Sequence, residues 1–154
     1  PTVALVKAFA HRPQKMGGGG RTTELVARPL MSLYFPELAT LQQPLSGEYS
    51  GRRTVLEQLP FVEGWGVEMG LLIDIAATYG AGAIAQIDVG VREHFHRSLE
   101  SLSVQAAEVM ATMLKRVPAG SLLDDEQPVL RRADGSRVHL NLAERPPVAS
   151  LRLS

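Results

Sequence analysis

The sequence has no cysteine, which excludes a disulfide framework and thiol chemistry and is neutral between compartments. It has no net charge either, with 16 Lys and Arg set against 16 Asp and Glu. Without a field of one sign, nothing draws the chain over distance to nucleic acid or to an anionic membrane, and any anion must be held by local geometry. No apolar run reaches the ~20 residues that a bilayer-spanning helix needs. The opening PTVALVKAFAHRP has no basic segment ahead of its apolar one, so it does not read as a signal peptide. The expectation is a soluble cytoplasmic protein. Repeats are absent, and the one low-complexity tract is a run of four glycines. There is no initiating methionine: the chain opens at Pro1 and enters a strand-like segment at once, as a piece of something longer would. Its 154 residues suffice for one domain or a large half-domain.

Hydrophobic period and breakers give the organisation. Thr2 to Phe9, β-branched at Thr2, Val3 and Val6 and closed by His11-Arg12-Pro13, fits a buried strand. Gly17 to Gly20 then lead into RTTELVARPLMSLYF, a helix with a kink expected at Pro29 and a second short helix opening at Pro36. Pro44 to Ser50 reads as extended and Arg52 to Leu59 as helical. VEMGLLIDIAATYG is apolar on nearly every side, a buried helix stopped by Gly80. Ala83 to Val91 reads as a strand. Between Ser101 and Arg116, the spacing of Leu102, Ala106, Val109 and Met113, continued by Val117, draws one helical stripe that Pro118 ends. VLRRADGSRVHLNL is two alternating runs around Asp134-Gly135, a hairpin signal.

Three constellations carry chemistry. In GGGGRTTE, glycines that tolerate φ > 0 run into a helix N-terminus, where unpaired N–H groups, the positive dipole end, the fork of Arg21 and the hydroxyls of Thr22 and Thr23 meet. This suits a phosphate or carboxylate; a plain linker ahead of a helix is the other reading. No Gly-Lys-[Ser/Thr] follows, so it is not a P-loop. Glu68 stands on the first turn of the buried helix among apolar neighbours, so its carboxylate must find a partner or be partly neutralised. With Trp65 just before it between Gly64 and Gly66, it can hold a sugar, or it can simply cap its own helix. In Arg92-Glu93-His94-Phe95-His96, extended backbone puts Arg92, His94 and His96 on one face at the C-terminal end of a strand, where ligands gather in open α/β sheets. A metal site and an ordinary surface pair of histidines both fit. Ser46 has no G-x-S-x-G setting, which argues against a serine hydrolase. Asp124-Asp125-Glu126 reads as a solvated loop and Arg131-Arg132 as a hairpin surface.

Taken in order and spacing, LVKAFxHRP, GGGGRTTELVARPL, LQQPLSGEYS, LPFVEGWGVEMGLLIDI, AIAQIDVGVREH and the late ERPPV resemble the C-terminal half of glucosyl-3-phosphoglycerate synthases. The match is close over residues 1–100 and loose beyond, until Glu144-Arg145-Pro146-Pro147. The resemblance implies an α/β, GT-A glycosyltransferase fold with a Rossmann-like mixed sheet flanked by helices. It implies a retaining hexosyl transfer from a UDP- or GDP-linked sugar to the 2-hydroxyl of 3-phosphoglycerate, a divalent Mg2+ or Mn2+, and a homodimer. By the same resemblance residues 1–100 form the acceptor half, residues 101–154 a helix and hairpin tail with a dimer contact, and the nucleotide-binding half with its Asp-x-Asp lies upstream. Gly20, Arg21 and Thr23 would hold the phosphoglycerate, with His96 near it. Leu45 would offer its backbone carbonyl at the reacting centre. Glu68 and Trp65 would meet the sugar, Arg92 would lie near the donor, and His94 would complete the metal's coordination. Two departures bear on the sugar: Trp65 stands where tyrosine is frequent and His96 where asparagine is usual. A mannosyl enzyme of the same family is therefore the nearest alternative, and a non-catalytic anion-binding or dimerisation module the more distant one.

Overall fold

The computed structural model describes residues 2–11, 20–92, 98–119 and 129–140. Strand β1 (Leu5–His11) is central in a mixed sheet. Strand β2 (Tyr49–Gly51) pairs with it antiparallel, and β3 (Ile84–Val91) pairs with it parallel on the other side. Residue 7 of β1 therefore faces Tyr49 on one side and Gln86 on the other. A parallel pair needs a long crossover, and the chain between β1 and β3 supplies one that carries most of the helices. These are a widened turn at Thr23–Ala27, α1 (Arg28–Tyr34), a 3-10 turn at Pro36–Leu38, α2 (Arg53–Leu56), a second 3-10 turn at Gly64–Gly66 and α3 (Val67–Tyr79). Helix α4 (Leu99–Leu114) and a hairpin of β4 (Val129–Arg131) with β5 (Arg137–His139) complete the described chain.

Pro29 acts on the turn before it. A proline ring collides with the carbonyl four residues earlier, and here the preceding turn opens to π geometry, with the Arg28 N–H bonded to the Thr23 carbonyl. The helix thus continues through the proline to Tyr34. The apolar helix expected before Gly80 is α3, whose Met69, Leu71, Leu72 and Ile75 are buried. It ends where Gly80 takes a φ of 80° and its N–H returns to the Ala76 carbonyl. The expected stripe of α4 also holds: Val109 and Met113 are fully buried, and Ala106 and Val117 pack against the same core as Leu5, Met31, Leu38, Met69 and Leu72. Each of the fully buried Val, Leu and Met side chains among them contributes about 1.5–3 kcal/mol. Ser98 caps α4, its side chain accepting the Ser101 N–H.

Some boundaries differ from the sequence expectation. The segment 44–50 is extended only at its end, and α2 stops at Leu56. The hairpin forms around Asp134-Gly135 as expected, with the Arg132 N–H still bonded to the Ser136 carbonyl, so the chain reverses through three residues, Ala133 to Gly135. The Gly135 N–H bonds to the Arg132 carbonyl, and Gly135 alone has positive φ, so the loop is a type I turn ending in a left-handed glycine. Arg131 is more than hairpin surface. Its N–H and carbonyl both bond the Ser32 hydroxyl, at 2.9 and 3.1 Å, and its guanidinium donates to the Ser32 carbonyl, which fastens the hairpin to α1. No helix among the described residues is long and apolar enough to cross a membrane.

Candidate active site

The site is built around a side chain that the sequence did not advertise. Alternation along β1 puts Lys7 on the same inward face as Leu5, and it is only 1% exposed. Its ammonium donates to the Ser46 hydroxyl at 2.6 Å, to the Glu48 carbonyl at 3.1 Å and to Oε1 of Glu68, so its three donors have three acceptors. The Tyr49 ring lies 5.8 Å from the nitrogen. Burial pushes the Lys7 ammonium below the usual lysine range, against the pull of the Glu68 carboxylate, its hydrogen bond, and the more distant Glu48.

Glu68 lies in the first turn of α3 and is the acid for which the sequence demanded a partner. Besides Lys7 it accepts the Gly47 N–H, at 3.0 Å to Oε1 and 3.1 Å to Oε2. One oxygen is thereby pinned; the other shares a single N–H and keeps acceptor capacity at a side chain that is 12% exposed. Gly47 has a φ of 82°, a backbone that glycine adopts without strain.

The loop that delivers Gly47 is fastened along β1. Gln43 pairs both ways with the Ala10 backbone. The Ser46 hydroxyl donates to the Ala8 carbonyl at 2.7 Å while accepting from Lys7. The Ala8 N–H reaches the Glu48 carbonyl at 3.1 Å. Leu45 lies between these fixed points and packs its side chain on the core. The loop's other end is held by buried Arg28, whose guanidinium takes the carbonyls of Ala39, Leu41 and Gln42 and the carboxylate of Glu24. Ser46 is therefore a relay of structural hydrogen bonds, consistent with its lack of any hydrolase setting.

On the far side of Glu48, its carboxylate pairs with the Arg92 guanidinium. Arg92 follows β3 directly, and its N–H donates to the His11 carbonyl at 3.0 Å. Just before it the register slips: Phe9 faces Asp88 but His11 faces Val91, and Gly90 takes a φ of 84° in the bulge. Asp88 closes the bulge by accepting the Gly90 N–H at 2.8 Å and the His11 Nε2 at 2.9 Å. These contacts, the Gly90 amide first, hold the Asp88 carboxyl below its ordinary 3.8. Arg92 thus stands at the C-terminal end of the sheet as expected. His94 and His96, and with them the shared face and the metal-ligand assignment, lie outside the described residues.

Trp65 sits in the turn before α3 and is 42% exposed. Its N–H donates to Oε2 of Glu108 at 2.8 Å, so α4 carries the turn. The flanking glycines make this docking possible. A Cβ on Gly64 would lie 2.3 Å from the Glu108 carboxylate, and one on Gly66 2.0 Å from the Thr112 hydroxyl. At the other candidate site Gly20 has a φ of 96° and its carbonyl accepts the Glu24 N–H at 2.8 Å, which starts the helix at Arg21. Thr22 and Thr23 are buried and Arg21 is half-buried. Gly17 to Gly19 lie outside the described residues.

The structure thus joins Glu68, the Leu45 loop and Arg92 through Lys7, Ser46 and Glu48, three residues that sequence reasoning missed or set aside. A lysine inside an apolar strand run was the available signal. Among the described residues no three carboxylates or imidazoles converge to hold a metal ion, and the sequence has no Asp-x-Asp.

No protein-family model matches the chain. It is 44% identical over 167 residues to a glucosyl-3-phosphoglycerate synthase of Petrotoga mobilis, an alignment covering 98% of this chain and 51% of that protein. It is also 44% identical over 163 residues to the Mycolicibacterium smegmatis protein of the same name, covering 97% and 52%. The crystal structure of glucosyl-3-phosphoglycerate synthase from Mycobacterium tuberculosis with Mn2+, UDP and glucosyl-3-phosphoglycerate superposes with a TM-score of 0.68 at 42% identity, covering 97% of this chain and 51% of that one. A further structure of that enzyme holds Mg2+ and UDP.

Proposed function

The chain belongs to the glucosyl-3-phosphoglycerate synthase family, whose GT-A fold its mixed sheet and helices share and of whose curated members it spans about half the length; on that premise we propose the reaction it serves. The protein moves glucose from a nucleoside-diphosphate sugar to the 2-hydroxyl of 3-phosphoglycerate with retention, and these residues supply the acceptor side. The observation that carries this reading is the Glu68 carboxylate, held by Lys7 and the Gly47 N–H beside the Leu45 loop. A carboxylate with one oxygen pinned and the other accessible is a fixed acceptor for sugar hydroxyls, and fixed dipoles are what electrostatic catalysis requires.

In this scheme Gly20, Arg21 and Thr23 hold the anionic acceptor together with His96. Trp65 and Glu68 receive the hexose, Leu45 offers its carbonyl next to the reacting hydroxyl, and Arg92 lies on the donor side. His94 is this chain's ligand to a divalent ion, Mg2+ or Mn2+, whose chemistry when bound is to offset charge on the diphosphate as a Lewis acid. Since Leu45 offers only a carbonyl and Glu68 is read as the carboxylate that binds the sugar hydroxyls, attack from the face that the leaving group vacates is favoured. The departing phosphate oxygen then takes the proton of the 2-hydroxyl. Residues 1–100 make up the acceptor half. Residues 101–154 add the tail and a homodimer contact, supported by the exposed Val104, Met110 and Leu114 of α4.

Calorimetric titration of the full-length protein with 3-phosphoglycerate and UDP-glucose separately tests the assignment. Losing a charge-assisted contact costs about 1.5–3 kcal/mol, or roughly ten- to a hundredfold in affinity. Arg21→Ala should weaken 3-phosphoglycerate by that order and leave the nucleotide sugar unchanged, and Arg21→Lys should restore only part, because a point charge does not reproduce the fork. Equal weakening of both ligands, or of neither, places the anion site elsewhere. Product formed from GDP-mannose in preference to UDP-glucose would make the enzyme a mannosyl transferase.

A further inference from the structure

We infer that Lys7 is a positioning residue of the transfer reaction, keeping Glu68 charged and aimed while locking the Leu45 loop against it. The inference rests on the reading of Glu68 as the carboxylate that meets the sugar.

Lysine is costly to bury. A fully enclosed ammonium loses its hydration, and an apolar residue of similar volume at this place in a strand would serve the core as well or better. A buried ion pair is therefore weak evidence for a stability role, and this one has features that a core filler would not need. The ammonium bonds two parts of the proposed site, the acid on α3 once and the loop twice, on either side of Gly47. Those two parts are joined again by the Gly47 N–H on the same carboxylate. Lys7 is thus the shared partner of the residue before Gly47, the residue after it and the acid in front of it. The charged groups around the pair are few: Glu48, whose carboxylate is engaged by Arg92, and no other cation contacts Glu68 among the described residues. The Tyr49 ring covers the ammonium. Without Lys7, Glu68 would keep one backbone donor and lose the one cation that contacts it among the described residues.

The consequence is a pH signature. With Lys7 replaced by an uncharged side chain, the Glu68 carboxylate lacks compensation and takes up a proton as the pH falls. A protonated acid no longer offers the same charge to the sugar. The test is the pH dependence of kcat and KM for full-length wild type, Lys7→Met, Glu68→Gln and the Lys7→Met/Glu68→Gln double variant, with thermal melts of each. The expected result is that Lys7→Met gains an acidic limb in kcat absent from wild type. It should lose about tenfold or more in kcat at neutral pH and recover part of it as the pH rises, with KM for UDP-glucose changed far less, as for an interaction made in the transition state. Glu68→Gln and the double variant should be slow at every pH and lack the limb, and the double variant should melt above Lys7→Met because no unpaired charge remains buried. Lys7→Gln, which keeps a donor but no charge, should show the same limb and serves if the methionine variant does not fold. A lowered melting temperature in Lys7→Met or Lys7→Gln with an unaltered pH profile, while Glu68→Gln is slow, would make Lys7 structural only and overturn the inference. Wild-type kcat in Glu68→Gln would instead remove the premise, and the inference with it.

Discussion

At the scale of single residues, the candidate site was half legible in the sequence. Glu68 and Arg92 could be picked out because an acid on a helix N-terminus and a cation at a strand end are visible in one dimension. Lys7, Ser46 and Glu48 could not, since their meaning lies in a contact across 39 to 61 residues of chain. Arg28 was equally silent. It proves to be 2% exposed, with its guanidinium donating to three carbonyls of the loop leading to Leu45. Removing it strands those acceptors, so Arg28→Ala should cost about 3–5 kcal/mol in urea unfolding. Arg28→Lys should recover less than half of that, because an ammonium cannot span the same three oxygens. A loss below about 1 kcal/mol would mean that water replaces the guanidinium at those carbonyls.

At the scale of elements, periodicity and breakers were sound guides. They placed β1, α3, β3, α4 and the hairpin because each has a burial period or a glycine stop that local sequence reveals. What they missed were the joints. The slip in β1–β3 register depends on Gly90 and on the side chain of Asp88 two residues earlier, a feature set by pairing and not by either strand alone. Because the Asp88 carboxyl titrates lower in the folded chain than its ordinary 3.8, its contribution is present above about pH 4 and is lost as pH falls below that. The carboxyl-carbon resonance of Asp88 should therefore titrate with a midpoint under 3.8, and the Gly90 amide shift should follow it; Asp88→Asn should abolish that coupled movement. The Gly-Trp-Gly turn is a second joint. Gly66 has an ordinary helical φ of −75°, so a Cβ is excluded there by Thr112 and not by the backbone. Gly66→Ala should lower stability by about 1–3 kcal/mol, as overpacking does, with Thr112→Ala restoring part. At Gly64 the φ of 75° adds backbone strain to the encounter with Glu108. Gly64→Ala should thus also displace Trp65, read as a change in tryptophan fluorescence that Gly66→Ala with Thr112→Ala lacks.

At the scale of the whole molecule, the core and the sheet are unequally finished. Leu5, Met31, Met69, Leu72, Val109 and Met113, from β1 and three helices, close one hydrophobic cluster. The sheet, by contrast, ends at β3 among the described residues. That strand ends the order β2-β1-β3, and its Ile87, Val89 and Val91 are 52%, 40% and 68% exposed. The composition offered no hint of this, since IAQIDVGV has the residues of a buried strand; exposure is a property of what pairs with it, which a single segment cannot encode. An apolar edge with a free row of backbone donors and acceptors is a template for strand addition, which proteins suppress with lysine, bulges or cover. The bulge at Gly90 guards only the C-terminal end. The 154-residue chain expressed alone should therefore self-associate with rising concentration, and light scattering coupled to size exclusion will register it. Val89→Lys, which adds an edge charge away from the Lys7 cluster and the buried core, should shift the distribution towards monomer while leaving the melting temperature within a few degrees, as a surface change of under about 0.5 kcal/mol would. Association unchanged by Val89→Lys but abolished by Val104→Lys on α4 would transfer the interface from the sheet edge to the helix.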